Sequence, residues 1–262
     1  MSANTAEQFQ PARERGWRRG LGNLLRGEYS AWFRSSRWWK HILVWFVAIN
    51  VMMAIMIIAS DPPLLIMYGI FGGMFVSFGV MIIMQQVLVR EKQSGTAAWV
   101  LSKPVTRTAF VVSRLVINSI AILLTAVLVP GVIVYITLGL FSKIGWLSPF
   151  GFAAALVMVS LTMFYWITLV LMMGTLSDSS SVVIAVPIAL FFVFAYGTGL
   201  VHQLIYISPL MLIFSPAEQI SPLTVSFISG EPVFSWLPLI STIVSSVIFI
   251  AVAIWRFNRQ EF

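Results

Sequence analysis

Six stretches of this chain carry no Asp, Glu, Lys or Arg: residues 41–60, 62–89, 115–142, 144–177, 179–217 and 232–255. A helix crosses the hydrocarbon core of a bilayer with about 20 predominantly apolar residues. The runs are unbroken and lack the alternation that a membrane barrel requires. They predict an all-α membrane protein with six transmembrane helices, near 41–59, 64–88, 111–140, 150–176, 181–200 and 236–255. Composition excludes a soluble fold, since 59% of the 262 residues are hydrophobic and 10% charged, against about 25% charged in soluble domains. A soluble chain this short has no core large enough to hide that apolar surface.

The charges that remain set the orientation. All but one of the 16 Lys and Arg fall before helix 1, in or beside the helix 2–3 loop, or after helix 6. Lys143 is the exception. Positive charge collects on the cytoplasmic side, so both termini and that loop are expected in the cytoplasm of a multi-pass protein of the cell (plasma) membrane. The net charge of +7 lies beside apolar spans, which points to membrane lipid and not to nucleic acid. The first apolar stretch comes too late for a cleavable signal peptide. There is no cysteine, which excludes disulfides and thiolate chemistry.

Between the spans the chain divides into recognisable pieces. Residues 1–16 are polar and aperiodic, a disordered cytoplasmic tail, followed by a single transmembrane domain over 17–262. Trp17, Leu21, Leu24, Leu25, Tyr29, Trp32 and Phe33 recur three or four apart, which predicts an amphipathic interfacial helix before helix 1. Glu28 falls within its apolar face. A carboxylate there needs a cationic or hydrogen-bonding partner, and an Arg of the helix 2–3 loop or of the C-terminal tail is the natural one.

Helix 2 carries Gly69 and Gly73, a GxxxG spacing that lets two backbones approach. Pro130 and Pro187 favour kinks in helices 3 and 5. Residues 201–235 are too apolar for a free loop, yet Pro209, Pro216, Pro222 and Pro232 forbid a continuous span. They predict short re-entrant or extracellular helices between helices 5 and 6, buried against protein.

Chemistry is conspicuously missing. Asn50, Asn118, Ser160, Thr162 and Thr168 are the main polar residues at membrane depth, and such groups stitch helices together. No Ser–His or Ser–Lys dyad, paired carboxylate, metal-ligand cluster or phosphate-binding Gly-rich loop appears. Ion-coupled carriers also need ionisable groups at that depth. The chain is therefore expected to have no catalytic residues, metal or cofactor of its own, and any energy for transport must come from another subunit.

The helix 2–3 loop is where such energy would enter. Residues 90–110 predict a short helix after Gly95, with Thr96 as N-cap and Trp99, Val100 and Leu101 on an apolar side. Lys103-Pro104 ends it, and Thr106 or Thr108 caps the next helix. The pattern Glu91, Gly95, Thr96, Leu101, Pro104, Val105 and Arg107 resembles the signature region of ABC-2 type permeases, the membrane subunits of one class of ATP-binding-cassette exporters. Gly27-Glu28-Tyr29 with Arg34-Ser35, and the tail Arg256 to Phe262, resemble that family's two ends.

The resemblance implies a homodimer or heterodimer of six-span units served by two copies of a separate ABC ATPase subunit, which would hold ATP and Mg. Glu91, Gly95, Thr96, Trp99, Leu101, Pro104 and Arg107 would form the coupling element. Glu28, Trp32 and Phe33 would belong to the connecting helix. Ala98 departs from the family, which often has an acidic residue there. The expected function is export of an amphipathic or lipid-like substrate by alternating access. A non-transporting scaffold or immunity protein that recruits an ATPase or sensor is the alternative.

Overall fold

The computed structural model describes residues 16–59, 64–143, 145–215 and 220–260. Apart from Gly16, the tail expected at 1–16 lies outside them, as do Pro216 and Glu218. Among the described residues six helices are long and apolar enough to cross a membrane. An N-terminal helix α1 (Leu21–Tyr29) runs on through a π-helical turn, Ser30–Arg34. The spans are α2 (Arg37–Ile58), α3 (Leu64–Gln93), α5 (Arg107–Phe141), α6 (Pro149–Leu176), α7 (Ser180–Gly199) and α9 (Leu237–Asn258). The short helices α4 (Thr96–Leu101) and α8 (Leu223–Ser229) lie between them.

The spans overrun their expected bounds at the basic side. α2 and α5 begin four residues ahead of 41 and 111, and α3 continues five beyond 88. An apolar run marks the part of a helix that meets hydrocarbon; capping and pairing decide where it ends. Thr106 caps α5 by accepting a bond from the Ala109 N–H at 3.2 Å, and in the overrun of α3 Glu91 pairs with Arg114 and Lys92 with Asp178.

α6 is the central helix. Its best apolar window is 67% buried inside the protein, against 22% for α2 and α9 and 33% for α7. α3 and α9 pack along it, around fully buried Trp166, Met163 and Phe191. The outer helices turn apolar side chains such as Val44, Phe192 and Val247 away from the core. That is the distribution expected where lipid replaces water.

Three spans contain π-helical turns, at Val47–Val51, Gly69–Phe75 and Leu123–Leu128. The last lies just ahead of Pro130, which has no N–H to give and crowds the preceding turn. α5 is helical on both sides of that proline, and the Pro130 carbonyl accepts the Asn50 side-chain amide at 3.4 Å.

Residues 201–235 form 3-10 turns at His202–Tyr206 and Pro209–Leu212 and then α8. Leu210, Met211, Leu212 and Ile213 are fully buried, and Thr162 of α6 donates to the Pro209 carbonyl at 3.2 Å. The two helix 2 glycines face this segment. A Cβ on Gly69 would stand 2.2 Å from the Ile213 carbonyl oxygen, and one on Gly73 would stand 2.6 Å from the Ile213 side chain. The backbone that approaches them belongs to the segment between α7 and α9 and not to another span. Gly151 at the start of α6 gives α8 the same access, since its Cβ would lie 2.4 Å from the Phe227 oxygen.

Candidate functional site

The basic ends of the spans converge on Arg114, about two turns into α5. Its side chain is 7% exposed, and Glu28 and Glu91 beside it are 17% and 22% exposed. The guanidinium grips Glu91 with two bonds, Nε to Oε2 at 3.0 Å and Nη2 to Oε1 at 2.6 Å. Its remaining Nη1 pairs with Glu28 of α1. This fork geometry suits arginine and no other cation, because a planar guanidinium matches a carboxylate edge to edge. Its plane also lies over Phe110, 4.9 Å from the ring centroid. Phe110 stacks in turn on Phe257 of α9 at 5.4 Å. One buried residue thus joins α1, α3 and α5 directly and α9 through one ring.

A second tie lies a turn deeper. Trp32 donates its indole N–H to the Asn118 side-chain oxygen at 2.8 Å, while the Asn118 amide donates to the Arg114 carbonyl at 2.8 Å. Trp32 is buried, and Phe33 packs partly buried against the core. Trp17 and Tyr29 are exposed, so α1 turns only part of its expected apolar face toward α5.

The loop itself is gripped at its exit and free at its crest. Thr106 donates its hydroxyl to the Trp17 carbonyl at 2.5 Å, and its backbone N–H donates to the Arg19 carbonyl at 3.2 Å. Gly20 has φ +81°, and a Cβ there would stand 2.6 Å from Val105; both facts require glycine. Arg107 donates to the Asn258 carbonyl at 2.7 Å. Lys92 pairs with Asp178 at 2.5 Å and donates to the Gly174 carbonyl at 3.0 Å. Gln260 donates to the Thr175 carbonyl at 2.6 Å. The ends of α3, α5, α6 and α9 are therefore clipped into one platform.

α4 stands on that platform. Gly95, and not Thr96, is its N-cap: the glycine is left-handed at φ 73°. Thr96 is the first helical residue, and its hydroxyl bonds that of Ser94 at 2.8 Å. Only glycine makes this turn without strain. Ala97 is buried, Val100 and Leu101 are half-buried, and Trp99 is 62% exposed beside Lys103. Pro104 is exposed just beyond the helix.

The residues expected at the loop thus separate into two groups. Glu91 is turned inward to Arg114, whereas Gly95, Thr96, Trp99 and Pro104 face out, and Arg107 is held by α9. The centre of the cluster, Arg114, was legible only as an unnamed partner for Glu28, and Asn118 only as a generic stitch. Both lie on the α5 face that carries Phe110, at spacings of four, which is the signal that points to them. Among the described residues no group of three His, Asp or Glu is gathered to hold a metal ion.

Six apolar helices, a buried segment of short turns between the last two and a short loop helix standing on their joined ends describe a multi-pass membrane protein. Residues 46–262 match the family model of ABC-2 family transporter proteins. The chain belongs to that family. Its members are transmembrane components that work with ABC ATPase partners. Glu28, Trp32 and Phe33 lie ahead of the matched residues. No curated protein matches the chain.

Proposed function

We propose that this chain is the permease subunit of an ATP-driven exporter, lying in the cell membrane with both termini in the cytoplasm. A separate ABC ATPase, in two copies on a dimer of permease subunits, binds ATP and Mg and seats α4. The observation that carries the reading is the contrast at the loop. The crest, with exposed Trp99, offers an anchor of the kind enriched at binding hot spots, while its base is fixed to four helix ends by Arg114, Thr106 and Arg107.

A push on α4 therefore tilts a platform instead of bending a loop. Nucleotide-driven closure of the ATPase moves α3 and α5 as a unit, and the buried charge cluster carries α1 with them. Rigid elements with two discrete arrangements transmit coupling in this way. Substrate meets the apolar, aromatic spans, which favours an amphipathic or lipid-like cargo.

The test is reconstitution of the chain with its ATPase in vesicles, measuring ATP hydrolysis and transport together. Gly95→Pro, which cannot adopt φ 73°, is expected to leave hydrolysis running while transport stops. Wild-type transport in Gly95→Pro and in Glu91→Ala overturns the coupling assignment. Hydrolysis with neither a substrate-responsive rate nor any helix displacement favours the scaffold alternative.

A further inference from the structure

A cavity of about 630 Å³ lies beside the Arg114 cluster, bounded by α1, the start of α2, the end of α3 and Asn118 of α5. Its walls change character in one direction. Ile82, Gln86 and Arg90 line it from α3; spaced by four, they share one helix face over about 12 Å. The order along that face is hydrocarbon, amide, guanidinium. Across the cavity α2 contributes Arg37 and His41, again four apart, with the guanidinium at the same end because consecutive spans run in opposite directions.

Two further observations bear on an occupant. Arg37 and Arg90 are exposed and make no ion pair among the described residues. Glu28 and Glu91 form part of the wall, but both are engaged by Arg114, so three guanidiniums outnumber two carboxylates. At the other end Ile82 is 49% exposed, so the apolar wall continues to the outside of the protein, where the bilayer lies. The volume falls within the roughly 300–1,000 Å³ of small-molecule sites.

We propose that this cavity is a binding site for an anionic phospholipid. Its phosphate sits between Arg37 and Arg90, where arginine geometry suits phosphate oxygens. Its glycerol ester carbonyls accept from the Gln86 amide. Its chain leaves along Ile83 and Ile82 into the membrane. The site is built within one chain and depends on neither the exporter reading nor the ATPase. Because α1 and α3 both form its walls, a bound lipid braces the helix that Glu28 ties to Arg114.

The test is native mass spectrometry of the full chain in detergent, titrated with phosphatidylglycerol or with phosphatidylcholine of the same chains. One phosphatidylglycerol per chain is expected to be retained at concentrations where phosphatidylcholine is not. Each guanidinium near a headgroup is worth about fivefold in affinity, so Arg37→Gln with Arg90→Gln is expected to weaken binding about 25-fold. Arg256→Gln with Arg259→Gln removes the same charge elsewhere and leaves retention unchanged. Ile83→Trp fills the cavity, keeps both charges, and abolishes retention; it decides the matter alone if the double arginine variant does not fold. Equal retention of the two lipids, or unchanged retention in Ile83→Trp, overturns the site. So does competition by glycerol 3-phosphate as effective as that of the intact lipid.

Discussion

Replacing Arg114 by Gln removes one positive charge and leaves Glu28 and Glu91 facing each other, both less than a quarter exposed. Two unit charges 4 Å apart attract by about 4 kcal/mol at an effective dielectric of 20, and breaking a buried pair from one side costs about 3–5 kcal/mol because the partner's charge is stranded. Arg114 serves two carboxylates, so Arg114→Gln should lose stability at the upper end of that range. The attraction within the intact cluster is largely offset by the cost of taking its three charges out of water. Neutralising all three groups, as Glu28→Gln, Glu91→Gln and Arg114→Met together, should therefore restore most of the loss. The assay is equilibrium unfolding in mixed detergent micelles, followed by tryptophan fluorescence. A loss under about 1 kcal/mol for Arg114→Gln, or a triple variant as unstable as the single one, would refute the claim that a buried charge cluster joins these helices.

Gly69→Ala places a methyl 2.2 Å from the Ile213 carbonyl oxygen and should cost about 1–3 kcal/mol in the same assay. Gly27→Ala, with nothing within 4 Å of the new methyl, should be neutral or stabilising by up to about 1 kcal/mol. Trp32→Phe and Asn118→Leu each break the 2.8 Å bond between α1 and α5. In a double-mutant cycle they should show coupling of about 1 kcal/mol, and additivity would remove that bond from the account. Trp99→Ala should change stability by less than about 0.5 kcal/mol, since the side chain is 62% exposed, while weakening capture of the ATPase in co-purification. Undiminished capture would place the contact elsewhere on the loop.

The spans were legible because hydrocarbon demands long apolar runs, and nothing else in this composition explains them. Their ends were less so. The overrun of α3 through Glu91 and of α5 back to Arg107 depends on partners that one local window does not contain. The carboxylate at Glu28 announced its need for a cation through its place on a helix face, yet only the packing of α1 on α5 says that the cation is Arg114. Gly69 and Gly73 show the same limit. Their spacing marks a close approach, but the visitor is Ile213, some 140 residues away along the chain. At α4 the misreading was local: Thr is a good cap in general, but the left-handed turn at Gly95 puts the glycine in the cap position and Thr96 inside the helix.

The most direct test of the coupling claim is photocrosslinking from position 99. With p-benzoylphenylalanine in place of Trp99 and its ATPase present in the membrane, irradiation should join the loop to that ATPase, in an adduct that is lost or redistributed when ATP is trapped. An adduct formed only with lipid, or one indifferent to nucleotide, would contradict the reading of α4 as the point where force enters the membrane domain.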